Sequence, residues 1–279
     1  MSEFKYAVCN ELFGSLALAE SARVARSAGY AGLEFAPYTI FEDFSPDRVR
    51  KGLVEVREVL DGEGLAFVGF HWLLAGPGAL HLADSDRTAR AKAVDRITLL
   101  AECAGRLGGG VLVLGSPRQR GSLPGVPKPE ADAALDEALR ATAARVGECG
   151  CSLLLEALSP EQTDVVNTLD EAVRRARAVG SPAVGTMFDF RNASSEASPW
   201  DVLLDRHFDD IRHIHANESD GRAPGTGKSD YLPAFRVLAR KGYRGWISVE
   251  IFETPPDPGK ILIDSRELFR RLEDRSVPV

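Results

Sequence analysis

The sequence predicts an α/β fold, a closed (β/α)8 barrel, from three observations. Short apolar, β-branched runs alternate with longer stretches of helical period. The strand-like runs number eight, and no linker, low-complexity run or charge block divides the 279 residues. A single unit over 1–279 is therefore expected, since barrels of this kind commonly use about 250 residues. A doubly wound open sheet is the alternative.

The elements follow in order. KYAVCNELF from Lys5 reads as the first strand and SLALAESARVARSAG as its helix. GLEFAPY from Gly32 pairs with SPDRVRKGLVEVREVLDGEG, which starts at a Ser and stops at a Gly, as helices should. AFVGFHWLL from Ala66 precedes DRTARAKAVDRITLLAECAGRLGG, and GVLVLGS from Gly110 precedes PEADAALDEALRATAARVGECG. The remaining strands are SLLLEALS from Ser152, AVGTMFDF from Ala183, IRHIHAN from Ile211 and WISVEIF from Trp246. Between Asp189 and Ile211 only SPWDVLLDRHFDD is available as a helix, the weakest pattern in the chain.

Composition narrows the function classes. With 44% hydrophobic and 27% charged residues the chain reads as an ordinary globular one, and a net charge of −7 argues against nucleic acid, whose phosphates need a basic face. No apolar stretch reaches 18 residues, and the N-terminus carries no basic-then-apolar leader. No membrane partner and a cytoplasmic location are expected. Cys9, Cys103, Cys149 and Cys151 form no Cys-x-x-Cys pair and read as reduced, partly buried thiols.

In such a barrel the chemistry sits at the carboxyl ends of the strands. There the fifth strand carries Glu156, the sixth Asp189, the seventh His215 and the eighth Glu250, each set into an otherwise apolar run. Taken singly, each has a plainer role, as an acid paired with Arg or Lys or a hydrogen-bonded rim histidine; His213 is the alternative imidazole. Together, four unpaired interior groups would cost several kcal/mol each, and one divalent cation bound by three carboxylates and an imidazole compensates them all. Hard oxygen donors with one nitrogen suit Mn2+ first, with Mg2+, Co2+, Fe2+ and Zn2+ as alternatives.

That donor set implies a chemistry. A proton α to a carbonyl is weakly acidic, so its removal needs stabilisation of the enediolate, which a Lewis-acidic metal supplies. Glu156 and Glu250 are the candidate acid and base, removing a proton and returning one. Return to the opposite face of the same carbon is epimerisation; return to the neighbouring carbon is isomerisation. His71, Trp72 and Glu34 are further candidates for contact with a sugar, each with a packing or ion-pair role as its alternative. The Pro/Gly-rich SPRQRGSLPGVPKP supplies Arg118, Arg120 and Lys128, which read as a solvated loop or subunit contact, or as groups meeting a phosphate or carboxylate.

FVGFHWLLAGPGALHL, LVLGSPRQR, LLLEALSPEQTDVVNT, TMFDFRNA, HIHANESDGRAPGTG and WISVEIFE carry a resemblance over nearly the whole chain. The sequence resembles the xylose-isomerase-like TIM-barrel sugar isomerase and epimerase superfamily, in its D-tagatose 3-epimerase-related branch. That resemblance implies a metal held by Glu156, Asp189, His215 and Glu250, the two glutamates as acid and base, and Arg222 holding a small carbohydrate substrate. It also implies a homo-oligomer. Two positions depart from the branch: Gln162 stands where a substrate-contacting glutamate is usual, and Asn192 where a histidine is usual. Both remain candidate substrate contacts, and both put a plain ketohexose in doubt. Two other functions stay open: a lyase resembling the barrel subunit of C-glycoside deglycosidases, which would act on 3-keto glycosides with a partner subunit, and a non-catalytic sugar-binding barrel.

Overall fold

A computed structural model describes residues 4–78 and 80–276, in which eight strands close into a barrel in the order β1 to β8. Position 79, within FVGFHWLLAGPGALHL, and the ends 1–3 and 277–279 of the expected 1–279 unit lie outside the described residues. The strands are β1 (Lys5–Cys9), β2 (Gly32–Phe35), β3 (Ala66–Phe70), β4 (Gly110–Leu114), β5 (Cys151–Leu155), β6 (Val184–Asp189), β7 (Ile211–Ala216) and β8 (Trp246–Val249). All neighbours pair in parallel, and β1 against β8 completes the ring. The open-sheet alternative is excluded by that last pairing.

The helices are α1 (Leu18–Ser27), α2 (Pro46–Glu63), α3 (Arg87–Arg106), α4 (Lys128–Glu148), α5 (Leu169–Val179), α6 (Phe190–Ala193), α7 (Trp200–His207), α8 (Leu232–Lys241) and α9 (Pro258–Ser276). Local chemistry sets their ends. Asp86 accepts the Thr88 N–H at 2.8 Å to start α3, and Thr168 accepts that of Glu171 to start α5. Gly64, Gly180 and Gly242, all at positive φ near 70°, stop α2, α5 and α8. The weakest predicted helix is α7, which lies within SPWDVLLDRHFDD after the short α6.

The period of two along each strand divides the core. Leu153, Leu155, Phe188, Ile214 and Ile247 face outward into the main apolar cluster with the helices. Val113, Leu154 and Met187 form a separate cluster inside the barrel. Two residues beyond Leu154 comes Glu156, and two beyond Met187 comes Asp189, so on these two strands the inward face passes from an apolar layer to carboxylates at the carboxyl end. Sequence position thus fixes depth in the barrel.

The ring is irregular where β2 meets β3. Leu33 pairs with Phe67 but Glu34 pairs with Gly69, so the extra residue, Val68, bulges on β3, while plain alternation along β2 turns Leu33 outward and Glu34 inward. On its other side Gly69 lies against β4 so closely that an added Cβ would stand 2.1 Å from the Val111 carbonyl oxygen. The four cysteines are free, as expected from their spacing. Among the described residues no helix is long and apolar enough to cross a membrane. Because the Val111 backbone cannot retreat without opening the β3–β4 ladder, Gly69→Ala is expected to cost about 1–3 kcal/mol, the usual cost of overpacking. Urea denaturation checks this; a variant as stable as the parent would contradict it.

Candidate functional site

Glu156, Asp189, His215 and Glu250 come together at the carboxyl end of the barrel. One ligand-type atom from each lies within 4.8 Å of all the others. The four residues are nearly or fully buried, at 6%, 4%, 0% and 4% exposure. Parallel pairing explains the convergence: Asp189 is in register with His215, and the amides of Glu156 and Glu250, one residue past their strands, still donate to Leu114 and Ala216.

Three acids at this separation repel one another, and their proton affinities record it. Burial, then Asp189 and Glu250, raises the Glu156 carboxyl to about 8. Burial and Glu250 raise Asp189 to about 6. For Glu250, burial works against the charge, but His215, whose Nδ1 is 3.2 Å from Glu250 Oε2, outweighs it and lowers the value. For His215, burial is likewise outweighed, by Glu250 and Glu34, so the imidazole is held well above its ordinary range. Among the described residues no Lys or Arg forms an ion pair with these three carboxylates. The set therefore fits a divalent cation: three hard oxygen donors, one imidazole whose buried Nδ1 has no hydrogen-bond partner, and a surplus of negative charge.

A second ring of groups holds the first. Asn192 donates from Nδ2 to Glu156 Oε1 at 3.0 Å, and its backbone N–H donates to Asp189 Oδ1 at 2.6 Å. Gln162 reaches the site through Asn192, donating to its Oδ1 at 2.5 Å. The two positions that depart from the ketose-epimerase pattern thus support each other and a cluster carboxylate. Asn217, two residues beyond His215 on the same strand face, donates to Asp189 Oδ2 at 2.9 Å. Sequence reading passed over Asn217, although the alternation of HIHAN marks it.

Other expected sugar contacts are placed differently. Glu34 has no exposed surface, and its two oxygens are taken by His213 (2.7 Å) and His215 (3.0 Å), so it is a partner of histidines rather than a group open to a sugar. His71 is 1% exposed and is held by Glu11 at 2.6 Å. Trp72 is half-buried and left-handed, at φ 52°. The half-exposed Arg222 sits on its own loop, paired with Asp220 at 2.8 Å and with the Thr226 carbonyl. Buried Glu218 pins that loop by accepting the backbone N–H of Gly225 at 2.8 Å.

Arg120 corrects the expectation of a solvated basic loop. It is fully buried and donates to the carbonyls of Leu114 (2.9 Å), Glu156 (2.8 Å) and Val165 (3.2 Å), tying the loops after β4 and β5 together. A guanidinium's fixed fork of donors suits this where a lysine would not. Nearby Ser116 and Val166, like Trp72, hold positive φ, a strain of about 1–3 kcal/mol each that such packing must offset. Lys128 begins α4 and pairs with Asp132.

A closed barrel with such a donor set at its strand ends defines a (β/α)8 protein able to hold a metal. The chain belongs to the xylose isomerase-like TIM barrel family, whose model matches residues 22–272. Fructoselysine 3-epimerase of Escherichia coli O157:H7 is 26% identical over 238 residues, 82% of this chain and 83% of that one. Apo 3-keto-D-glucoside 4-epimerase from E. coli has a similar structure, with a TM-score of 0.82 at 21% identity over 96% of this chain and all of that one (100%). L-ribulose 3-epimerase also gives 0.82, at 16% identity over 98% and 96% of the two chains. At these identities the structures show the shared barrel.

The raised carboxyls make a pH prediction with a definite sign. An acid whose value is higher folded than unfolded stays protonated in the fold while the unfolded chain ionises, so stability falls as pH rises between the two values. For Glu156 that window runs from 4.5 to about 8, and for Asp189 from 3.8 to about 6. In chelator, the melting temperature is expected to fall between about pH 5 and pH 8, and saturating Mn2+ to remove most of the fall. Parallel profiles with and without the ion would contradict this.

Proposed function

We propose that this chain is a divalent-metal-dependent sugar or polyol epimerase or isomerase, acting by proton transfer α to a carbonyl. Glu156, Asp189, His215 and Glu250 would hold the ion, with Mn2+ the first candidate. When bound, the ion supplies Lewis-acid stabilisation of the charge that develops on the substrate oxygens.

The observation that carries the reading is that two glutamates, an aspartate and a histidine from four successive strand ends meet in one buried site, within 4.8 Å of one another. Two positioned glutamates beside one bound substrate can act as base and acid. Glu250 takes the proton from the carbon beside the carbonyl. Glu156 returns a proton to the carbon from the other side of the substrate. In the reverse direction the roles exchange. Asn192 keeps Glu156 Oε1 oriented, and burial of all four groups excludes the bulk water that would otherwise solvate the carboxylates. Gln162 and Asn192, an amide pair in place of an acid and an imidazole, favour a substrate other than a plain ketohexose. The named activities of the relatives, 3-epimerisation and 4-epimerisation beside a carbonyl, support the same reaction type.

The test is solvent deuterium incorporation by Mn2+-loaded protein in D2O, across free ketoses, sugar phosphates, inososes and 3-keto glycosides. Exchange at a carbon beside the carbonyl, with an epimer or isomer as product, is expected. Glu156→Gln and Glu250→Gln should each lower the rate about 10²–10⁴-fold. A dehydrated or cleaved product would move the reading to a lyase. Absence of exchange across the panel, with metal bound, would overturn it.

A further inference from the structure

We infer that Glu34 is the positioning residue for His215: it holds the imidazole with the Nε2 proton turned away from the cluster and Nδ1 turned into it. The inference rests on the metal-site reading above and extends it to a residue on the opposite side of the barrel.

Glu34 lies on β2 and His215 on β7, 181 residues apart in sequence, yet Glu34 Oε1 is 3.0 Å from His215 Nε2. The other oxygen, Oε2, is 2.7 Å from Nε2 of His213. A carboxylate is an acceptor only, so both imidazoles meet it with an N–H. With Nε2 carrying the proton, the nitrogen each neutral ring leaves for an ion is Nδ1, and neither Nδ1 has a hydrogen-bond partner. For His213 that atom is simply enclosed. For His215 it is 3.2 Å from Glu250 Oε2, at the edge of the four-group cluster.

The ring is fixed in orientation as well as tautomer. His213 and His71 both meet His215 edge to face, with centroids 5.1 and 5.8 Å away at 84° and 83°. His71 Nδ1 is itself 3.4 Å from Glu34 Oε1, and its Nε2 is held by Glu11. One buried carboxylate therefore faces three imidazoles, from the end of β3 and from β7. Alternation along β2, with Leu33 in the outward apolar cluster, turns Glu34 inward into this arrangement. A packing role alone would need no charge at a site with no exposure, whereas a carboxylate on a ligand imidazole fixes its orientation and strengthens it as a donor.

The test is Glu34→Gln, which keeps the shape and removes the charge. Titration with Mn2+ is expected to give a dissociation constant raised about 10–100-fold, the usual cost of losing such a partner. With Co2+ as probe, the visible spectrum should change, because the imidazole no longer presents Nδ1 in one orientation. Unchanged Mn2+ affinity and an unchanged Co2+ spectrum in the variant would overturn the inference alone. Failure of the parent protein to bind either ion would overturn the metal-site reading and the inference with it. Should Glu34→Gln not fold, nitrogen NMR of the Zn2+-loaded parent decides. A protected proton on His215 Nε2 supports the assignment, and a proton on Nδ1 overturns it.

Discussion

Like-charge repulsion at the carboxyl end of the barrel is the constraint around which the site is organised. Glu156, Asp189 and Glu250 are gathered with His215 inside 4.8 Å, away from water, with one imidazole among three acids. Among the described residues no lysine or arginine ion pair relieves this there, and the buried Arg120, held on the Glu156 carbonyl, offsets it only in part. The chain instead distributes the charge through neutral donors, Asn192 and Asn217, and through the Glu250–His215–Glu34 contacts. A site that keeps such repulsion, when apolar residues would pack at lower cost, could hold a ligand of opposite charge.

The rigidity that this demands comes from the loops as much as from the strands. Arg120 gathers carbonyls from the loops after β4 and β5, among them that of Glu156 itself. Strained backbone at Trp72, Ser116 and Val166 follows β3, β4 and β5, and lies on the same end of the barrel as the cluster. Glu218 and the glycines around it set the loop after β7. The helices and the outward strand faces supply the apolar burial, leaving the carboxyl end free to hold polar groups that contribute little to stability by themselves.

Much of this was legible in the sequence because a parallel barrel leaves a strong periodic trace. All eight strands begin within one residue of where the apolar runs begin, and α7 is as short as SPWDVLLDRHFDD implied. The cluster residues stood out because an acid in LLLEALS or TMFDF violates an otherwise apolar face. Glu34 was visible as the same kind of violation, but its partners were not: they lie on β7, far along the chain, and only closure of the ring brings them together. Arg120 was misplaced for a related reason. A basic residue in a Pro/Gly-rich loop reads as solvated until the carbonyls of two separate loops are seen to surround it. Asn217 shared a strand face with His215 and was passed over because an amide in a rim loop has many plainer uses.

The most direct test of the account is a crystal of the protein grown with Mn2+ and measured at the manganese absorption edge. The account predicts a single strong anomalous peak enclosed by carboxylate oxygens of Glu156, Asp189 and Glu250 and by His215 Nδ1, with Glu34 still on Nε2. No peak there, with the four side chains keeping the contacts they make without an ion, would contradict it.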